Sequence, residues 1–192
     1  YSPLQDMHTE KLFPRLLSLC LIFITASLGS MAQSTQPLIA EFRTSAYDTD
    51  GESNSIQMTI GGIAESEYID IDCGFGTEEH EVVPATYDTE NEEWTGTTIT
   101  LNVSAEGMVR IYGNAENIQV IDAHGCMFHE IDIERLSNLT ILDLSHNELE
   151  RLDLTALTAL QALYLSDNPF NREPLTVGTP KNDLAILDIG QI

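Results

Sequence analysis

The chain has 192 residues, is 42% hydrophobic, and carries a formal net charge of -23, with 8 Lys and Arg against 31 Asp and Glu. That is enough apolar material to bury a core, which excludes a disordered acidic tail. So few cations cannot neutralise a run of phosphates, which excludes nucleic acid and anionic membrane surfaces and leaves basic proteins, divalent cations and neutral glycans as partners; the acidic excess also serves plain solubility.

Met7 is read as the start of the natural chain, with residues 1–6 lying upstream of it. Lys11 and Arg15 precede an uncharged apolar run, Leu16 to Leu28, and Ser30 and Ala32 place small residues three before and one before Gln33. This is the three-part layout of a secretory signal peptide, residues 1–32. The apolar run falls short of the ~20 residues that span a bilayer, so no membrane insertion is expected of the mature form. The expected location is exported, extracellular or at the cell surface. Cys20 belongs to the apolar run, and its removal leaves Cys73 and Cys126. A bridge between these two is permitted outside the cytoplasm but not required.

Residues 33–113 are expected to form a small all-β unit that caps the C-terminal segment. Short alternating stretches, Ser55–Ile60, Tyr68–Asp72, Thr97–Val103 and Met108–Tyr112, are separated by Gly, Asp, Asn and Thr clusters. Val109-Arg110-Ile111 is expected to be the strand that hands over to the C-terminal segment. The acidic stretches Glu78, Glu79, Glu81 and Asp88 to Glu93 read as solvated loops. Asp48 to Asn54 faintly resembles a calcium loop, but it lacks the Gly and the late bidentate Glu of an EF-hand and reads as a polar turn.

From 114 onward the sequence repeats. Ile118 to Phe128, Leu139 to Leu149 and Leu160 to Phe170 align without gaps, their first residues 21 apart. Each fits L-x-x-L-x-L-x-x-N/C-x-L. The linking halves repeat as well: Ile131-Asp132-Ile133 matches Leu152-Asp153-Leu154, and Leu136 matches Leu157. A fourth unit starts at Leu184, after an insertion within about Thr176–Asp183, with Leu187 and Ile189 in phase. It stops at Ile192 before its Asn or Cys, which reads as a truncated array from a longer protein.

The period implies one short strand per repeat, stacked in parallel about 4.8 Å apart. Alternation sends Leu142, Leu144, Leu163 and Leu165 inward. Asn147 and Asn168 fall where the chain leaves the strand, and a buried amide there can bond the backbone of its own and the adjoining coil. Cys126 occupies the same place in the first repeat. These three form the expected structural ladder.

Residues 118–192 therefore resemble a leucine-rich-repeat solenoid, and the 21-residue period with its Leu-Asp-Leu second half resembles the short bacterial class. The stretch Ile69 to Thr77 resembles an Ile-Asp-Trp-Gly-Asp-Gly-Thr element found in Ig-like or PKD-like β-sandwiches ahead of such repeats, with Cys73 at the Trp and Phe75 at the second Asp. The expected fold is mainly β: a solenoid with parallel strands preceded by a small antiparallel β-sandwich-like domain.

In that family the outward face of the strands takes the partner. Here alternation displays Val120, Asp122 and His124, then Ile141, Asp143 and Ser145, then Ala162, Tyr164 and Ser166, then Ile186, Asp188 and Gly190. The expected contact residues are Asp122, His124, Asp143, Ser145, Tyr164, Ser166 and Asp188. Tyr164 is the candidate anchor, since an exposed aromatic commonly carries interface energy. The Asp column reads either as a stripe for a basic partner or cation, or as a solubilising face. Replacing Asp143 by Ala is expected to be nearly neutral or slightly stabilising.

No catalytic residue, cofactor or metal ligand is assigned. The sequence has no G-x-S-x-G, H-E-x-x-H or phosphate-binding Gly-rich loop. His124, His129 and His146 occupy different repeat positions and do not form a zinc set. The expected function is non-catalytic binding of an extracellular protein or glycan in adhesion or recognition, of unknown oligomeric state. The alternatives are a targeting or spacer region of a larger secreted enzyme, and a self-associating surface-layer component.

Overall fold

The computed structural model describes residues 33–46, 55–64, 67–88, 90, 93–170, 175–176 and 184–190. Residues 1–32, expected to be a signal peptide and including Cys20, and the stretch Asp48–Asn54, expected to be a polar turn, lie outside the described residues. What is described is mainly β, with no α-helix and one short 3-10 turn, Ala115–Asn117.

Two sheets share one core. Strands β1 (Leu38–Thr44), β3 (Glu67–Asp72), β4 (Thr77–Val82), β8 (Met108–Tyr112) and β10 (Phe128–Asp132) form one, in the order β10-β1-β8-β3-β4. The other holds β2 (Ser55–Gly62), β7 (Thr97–Asn102), β9 (Ile118–Asp122), β11 (Ile141–Asp143), β12 (Ala162–Tyr164) and β13 (Ile186–Asp188), in the order β13-β12-β11-β9-β2-β7. A hairpin, β5 (Thr86–Asp88) with β6 (Glu93–Thr95), forms a two-stranded sheet of its own.

Alternation explains the strands. In β2, Ile56, Met58 and Ile60 are buried while Ser55 and Gln57 are exposed. β1 and β10 stack Phe42 on Phe128, ring centroids 4.9 Å apart. Each such side chain contributes about 1.5–3 kcal/mol when fully buried. Ile121, Leu142 and Leu163 line up in the same interior, with Leu144 and Leu165 beside them, all at or below 1% exposure.

The second sheet is mixed, not purely parallel. β9, β11 and β12 pair in parallel with Val120 beside Ile141 and Ile141 beside Ala162, the 21-residue period seen in space. β13 continues in parallel with Ala162 beside Ile186, absorbing the insertion. On the other side, β2 meets β9 antiparallel, with Ile60 beside Ile121.

Two expectations are corrected by this topology. Val109-Arg110-Ile111 is not the handover strand: β8 lies inside the first sheet, between β1 and β3. The handover is double, because β2 pairs β9 in one sheet and β1 pairs β10 in the other. The first coil thus extends both layers of the preceding segment, and neither sheet breaks at residues 113–114. Burying the first coil's backbone by strand pairing satisfies polar groups that apolar packing alone would leave open. Asn117 adds to the seam, its Oδ1 accepting from Ile63 N at 3.0 Å and Ala64 N at 2.8 Å.

The second correction concerns Glu78, Glu79 and Glu81, expected in a solvated loop: they lie in β4, paired with Ile71, Asp70 and Tyr68 of β3. Asp88 ends β5 and Glu93 begins β6, its partner in the hairpin. Tyr87 pairs Trp94 across it, with ring centroids 5.1 Å apart.

Cys73 and Cys126 are both buried free thiols with no bridge between them. Burial pushes each thiol up to about 12.

Candidate functional site

The outward face of β9, β11, β12 and β13 is where the expected contact residues meet. Its register is strict: Asp122 lies beside Asp143, Asp143 beside Tyr164, and Tyr164 beside Asp188.

Three of the four residues in the first column of this face are buried. Val120, Ile141 and Ala162 are 0%, 4% and 4% exposed, in a small second core with Ala85, Trp94 and Tyr164, whereas Ile186 of β13 is 47% exposed. The residues around the β5–β6 hairpin cover this column and leave the aspartate column at its margin. Two glycines permit the close approach. A Cβ at Gly61 would come within 2.6 Å of the Ala85 Cβ, and one at Gly96 within 2.7 Å of the Ile60 carbonyl oxygen. Backbone bonds hold the strap, Gly62 N donating to Val83 O and Ala85 N to Gly62 O, each at 2.9 Å.

Tyr164 is therefore half-buried rather than a free aromatic. Burial raises its hydroxyl pKa, and Asp143, Tyr87 and Asp188 raise it further. Tyr87 is 46% exposed and Trp94 half-buried. The sequence reading missed both hairpin aromatics. The available signal was the only Trp of the chain standing beside an acidic stretch.

The carboxylates are partly engaged. Asp122 Oδ1 accepts from the His124 backbone N at 3.2 Å and sits 2.7 Å from His124 Nδ1. This contact raises the His124 pKa above its ordinary value, with burial opposing it. Asp143 Oδ1 accepts from Ser145 N at 2.9 Å and from its hydroxyl at 2.6 Å, so Ser145 is turned into the coil and only 8% exposed. Ser145 is accordingly a poor contact residue. Ser166 is half-buried and packs against Gly190, while His124 and Asp188 are exposed.

Although no metal ligand was expected, Asp122, His124 and Asp143 each offer one donor atom within 4.8 Å of the others. The hydrogen bonds of His124 to Asp122 and of Ser145 to Asp143 account for the grouping.

The residues that leave the strands form a ladder of buried amides. Asn147 Nδ2 donates to Ala123 O at 2.9 Å, Leu144 O at 3.0 Å and Ser145 O at 3.1 Å, and its Oδ1 accepts from Phe128 N at 2.9 Å. Asn168 Nδ2 donates to Leu144 O at 2.8 Å and Leu165 O at 3.0 Å, and its Oδ1 accepts from Leu149 N at 3.0 Å. Each amide ties its own coil to the preceding one. Cys126 is 1% exposed, and its Sγ donates instead to Gln57 O of β2 at 3.2 Å. Just before each ladder residue the backbone is left-handed, at Gly125 (φ 65), His146 (φ 55) and Asp167 (φ 56).

Charge divides between the two faces. The arginines among the described residues, Arg43, Arg110, Arg135 and Arg151, pair with Glu41, Asp72, Glu130 or Asp132. Those carboxylates belong to β1, β3 and β10 of the first sheet. No described arginine pairs with Asp122, Asp143 or Asp188.

Residues 133–170 match the family model for the leucine rich repeat. Comparison with curated proteins and with solved structures returns no match. The matched span holds the second repeat and the strand half of the third, so these residues carry leucine-rich repeats. Such repeats are in general protein-binding modules. No helix among the described residues is long and apolar enough to cross a membrane.

Proposed function

We propose that this chain is an exported, non-catalytic recognition module of the short bacterial leucine-rich-repeat type, binding an extracellular or cell-surface protein on the outward face of β9 to β13. On this reading residues 33–113 are an Ig- or PKD-like cap, residues 114–192 a solenoid, and residues 1–32 a signal peptide. The observation that carries the binding reading is the fixed register of Asp122, Asp143, Tyr164 and Asp188 on four consecutive parallel strands, tied together just past their C-terminal ends by the Asn147 and Asn168 ladder. Rigid strands present side chains at set spacing, which lowers the ordering cost of binding.

The test uses a photo-reactive residue in the full chain, placed either at His124 on this face or at Glu130 on the opposite sheet. Their side chains are 63% and 50% exposed. Offered surface proteins of neighbouring cells, the probe at 124 is expected to give discrete adducts and the probe at 130 none. Equal labelling, or none from position 124, would overturn the binding reading. Export is tested by N-terminal sequencing of secreted material, expected to begin at Gln33.

A further inference from the structure

On the outward face of β9 to β13, Asp143 and Asp188 make no ion pair with a described arginine. Asp143 and Asp188 flank Tyr164 in direct register on the neighbouring strands. With strands about 4.8 Å apart, the two carboxylates stand roughly 10 Å from one another with the Tyr164 ring between them. The hairpin brings Trp94 into the same cluster as Tyr164 and sets Tyr87 on Trp94. The described arginines are spent on the other sheet.

We propose that Tyr87, Trp94 and Tyr164, together with Asp143 and Asp188, receive a lysine or arginine side chain from a basic segment of a partner protein. This rests on the reading of the face as a protein-binding surface and names the chemistry it selects. Aromatic faces attract a cation through the ring quadrupole, and the attraction grows as water is excluded. The carboxylates at the margin complete the site with charge-assisted hydrogen bonds. Each component alone is ordinary. Their combination comes from two distant parts of the sequence, and no arginine among the described residues pairs with Asp143 or Asp188. A neutral glycan would also stack on aromatics but would gain nothing from Asp143 and Asp188, and a polycation held by diffuse attraction would gain nothing from Tyr87.

Trp94 is the only tryptophan of the chain and reports on its own site. The full chain is titrated with a peptide of alternating lysine and glycine, with its arginine counterpart, and with the same lysine peptide acetylated on every side chain. The lysine or arginine peptide is expected to give a saturable change in Trp94 emission, and the acetylated peptide none. Asp188→Asn, Asp143→Asn and Tyr87→Ala are each expected to weaken binding about tenfold, with far-UV circular dichroism unchanged. Asp188 is exposed, so Asp188→Asn carries the test alone should Tyr87→Ala disturb the hairpin. An equal response to the acetylated peptide, no saturable response, or unchanged binding by Asp188→Asn would overturn the proposal. If adducts from position 124 persist while the basic peptides fail, only this assignment of the ligand falls. If both are lost, the binding face itself falls.

Discussion

Ala85 lies directly over Gly61, so closely that a Cβ on the glycine would sit 2.6 Å from that of the alanine. This contact decides what the outward face looks like. It lets the segment between β4 and β5 settle on the sheet beside Val120 and brings the hairpin aromatics with it. Gly61→Val is expected to lift the strap, shift Trp94 emission to the red and cost about 1–3 kcal/mol, the usual range for overpacking. Emission spectra and denaturant midpoints check this. An unshifted spectrum would mean that the strap is held by other contacts.

Removing a rung of the amide ladder is more damaging. Asn147→Leu strands the Phe128 N–H and the Ala123 carbonyl in a buried site, while the Leu144 carbonyl keeps its bond from Asn168. The expected loss is about 3 kcal/mol, since each buried unpaired group costs roughly 1–3 kcal/mol. Urea unfolding measures it, and a harmless substitution would contradict the ladder. Asp143→Ala, expected from sequence to be neutral, now has a cost of about 1 kcal/mol, because Asp143 accepts both the N–H and the hydroxyl of Ser145.

Gly125→Ala isolates backbone strain from crowding. A Cβ there meets nothing within 4 Å, yet the residue has φ +65. The left-handed conformation alone is expected to cost about 1 kcal/mol. Thermal melts of Gly125→Ala beside wild type test this, and an unchanged melting temperature would count against it.

His124 makes stability depend on pH. Its hydrogen bond to Asp122 raises its folded-state pKa above the ordinary 6.5. The contribution is fully present below about 6.5 and fades as pH rises through the raised value. Because the side chain is 63% exposed, the effect is small. Denaturant midpoints on either side of this window are expected to fall with rising pH, and Asp122→Asn to abolish that component.

The buried thiols give a simpler check. At about pH 8, Cys73 and Cys126 are expected to resist iodoacetamide in the folded protein and react once it is unfolded, because the thiolate is the reactive form. Mass spectrometry of the labelled peptides separates them from Cys20.

Much of the repeat segment was legible in the chain itself. The period of 21 fixed which leucines lie inward and where the amides fall, because stacked strands must repeat their chemistry at every coil. Alternation likewise located β2, β3, β7 and β8. Strand β10 was missed, since Phe128-His129-Glu130-Ile131-Asp132 has only one side chain fully buried and weak alternation. Strand β4 was missed for a similar reason: Thr77-Glu78-Glu79-His80-Glu81-Val82 reads as a charged loop, yet it is an edge strand, where charge faces water on one side.

What the sequence by itself determined is the local grammar: which side chain turns inward, which residue closes each coil, and the column of Asp122, Asp143, Tyr164 and Asp188 on four successive strands. Only the tertiary structure decided that β1 and β2 extend the first coil into two sheets, and that the hairpin around Tyr87 and Trp94 lies across the outward face. Periodicity is a property of neighbours along one chain and survives in any register of the whole. Pairing between segments tens of residues apart depends on the shape each presents to the other, and a missing side chain at Gly61 becomes visible only when Ala85 is seen resting on it.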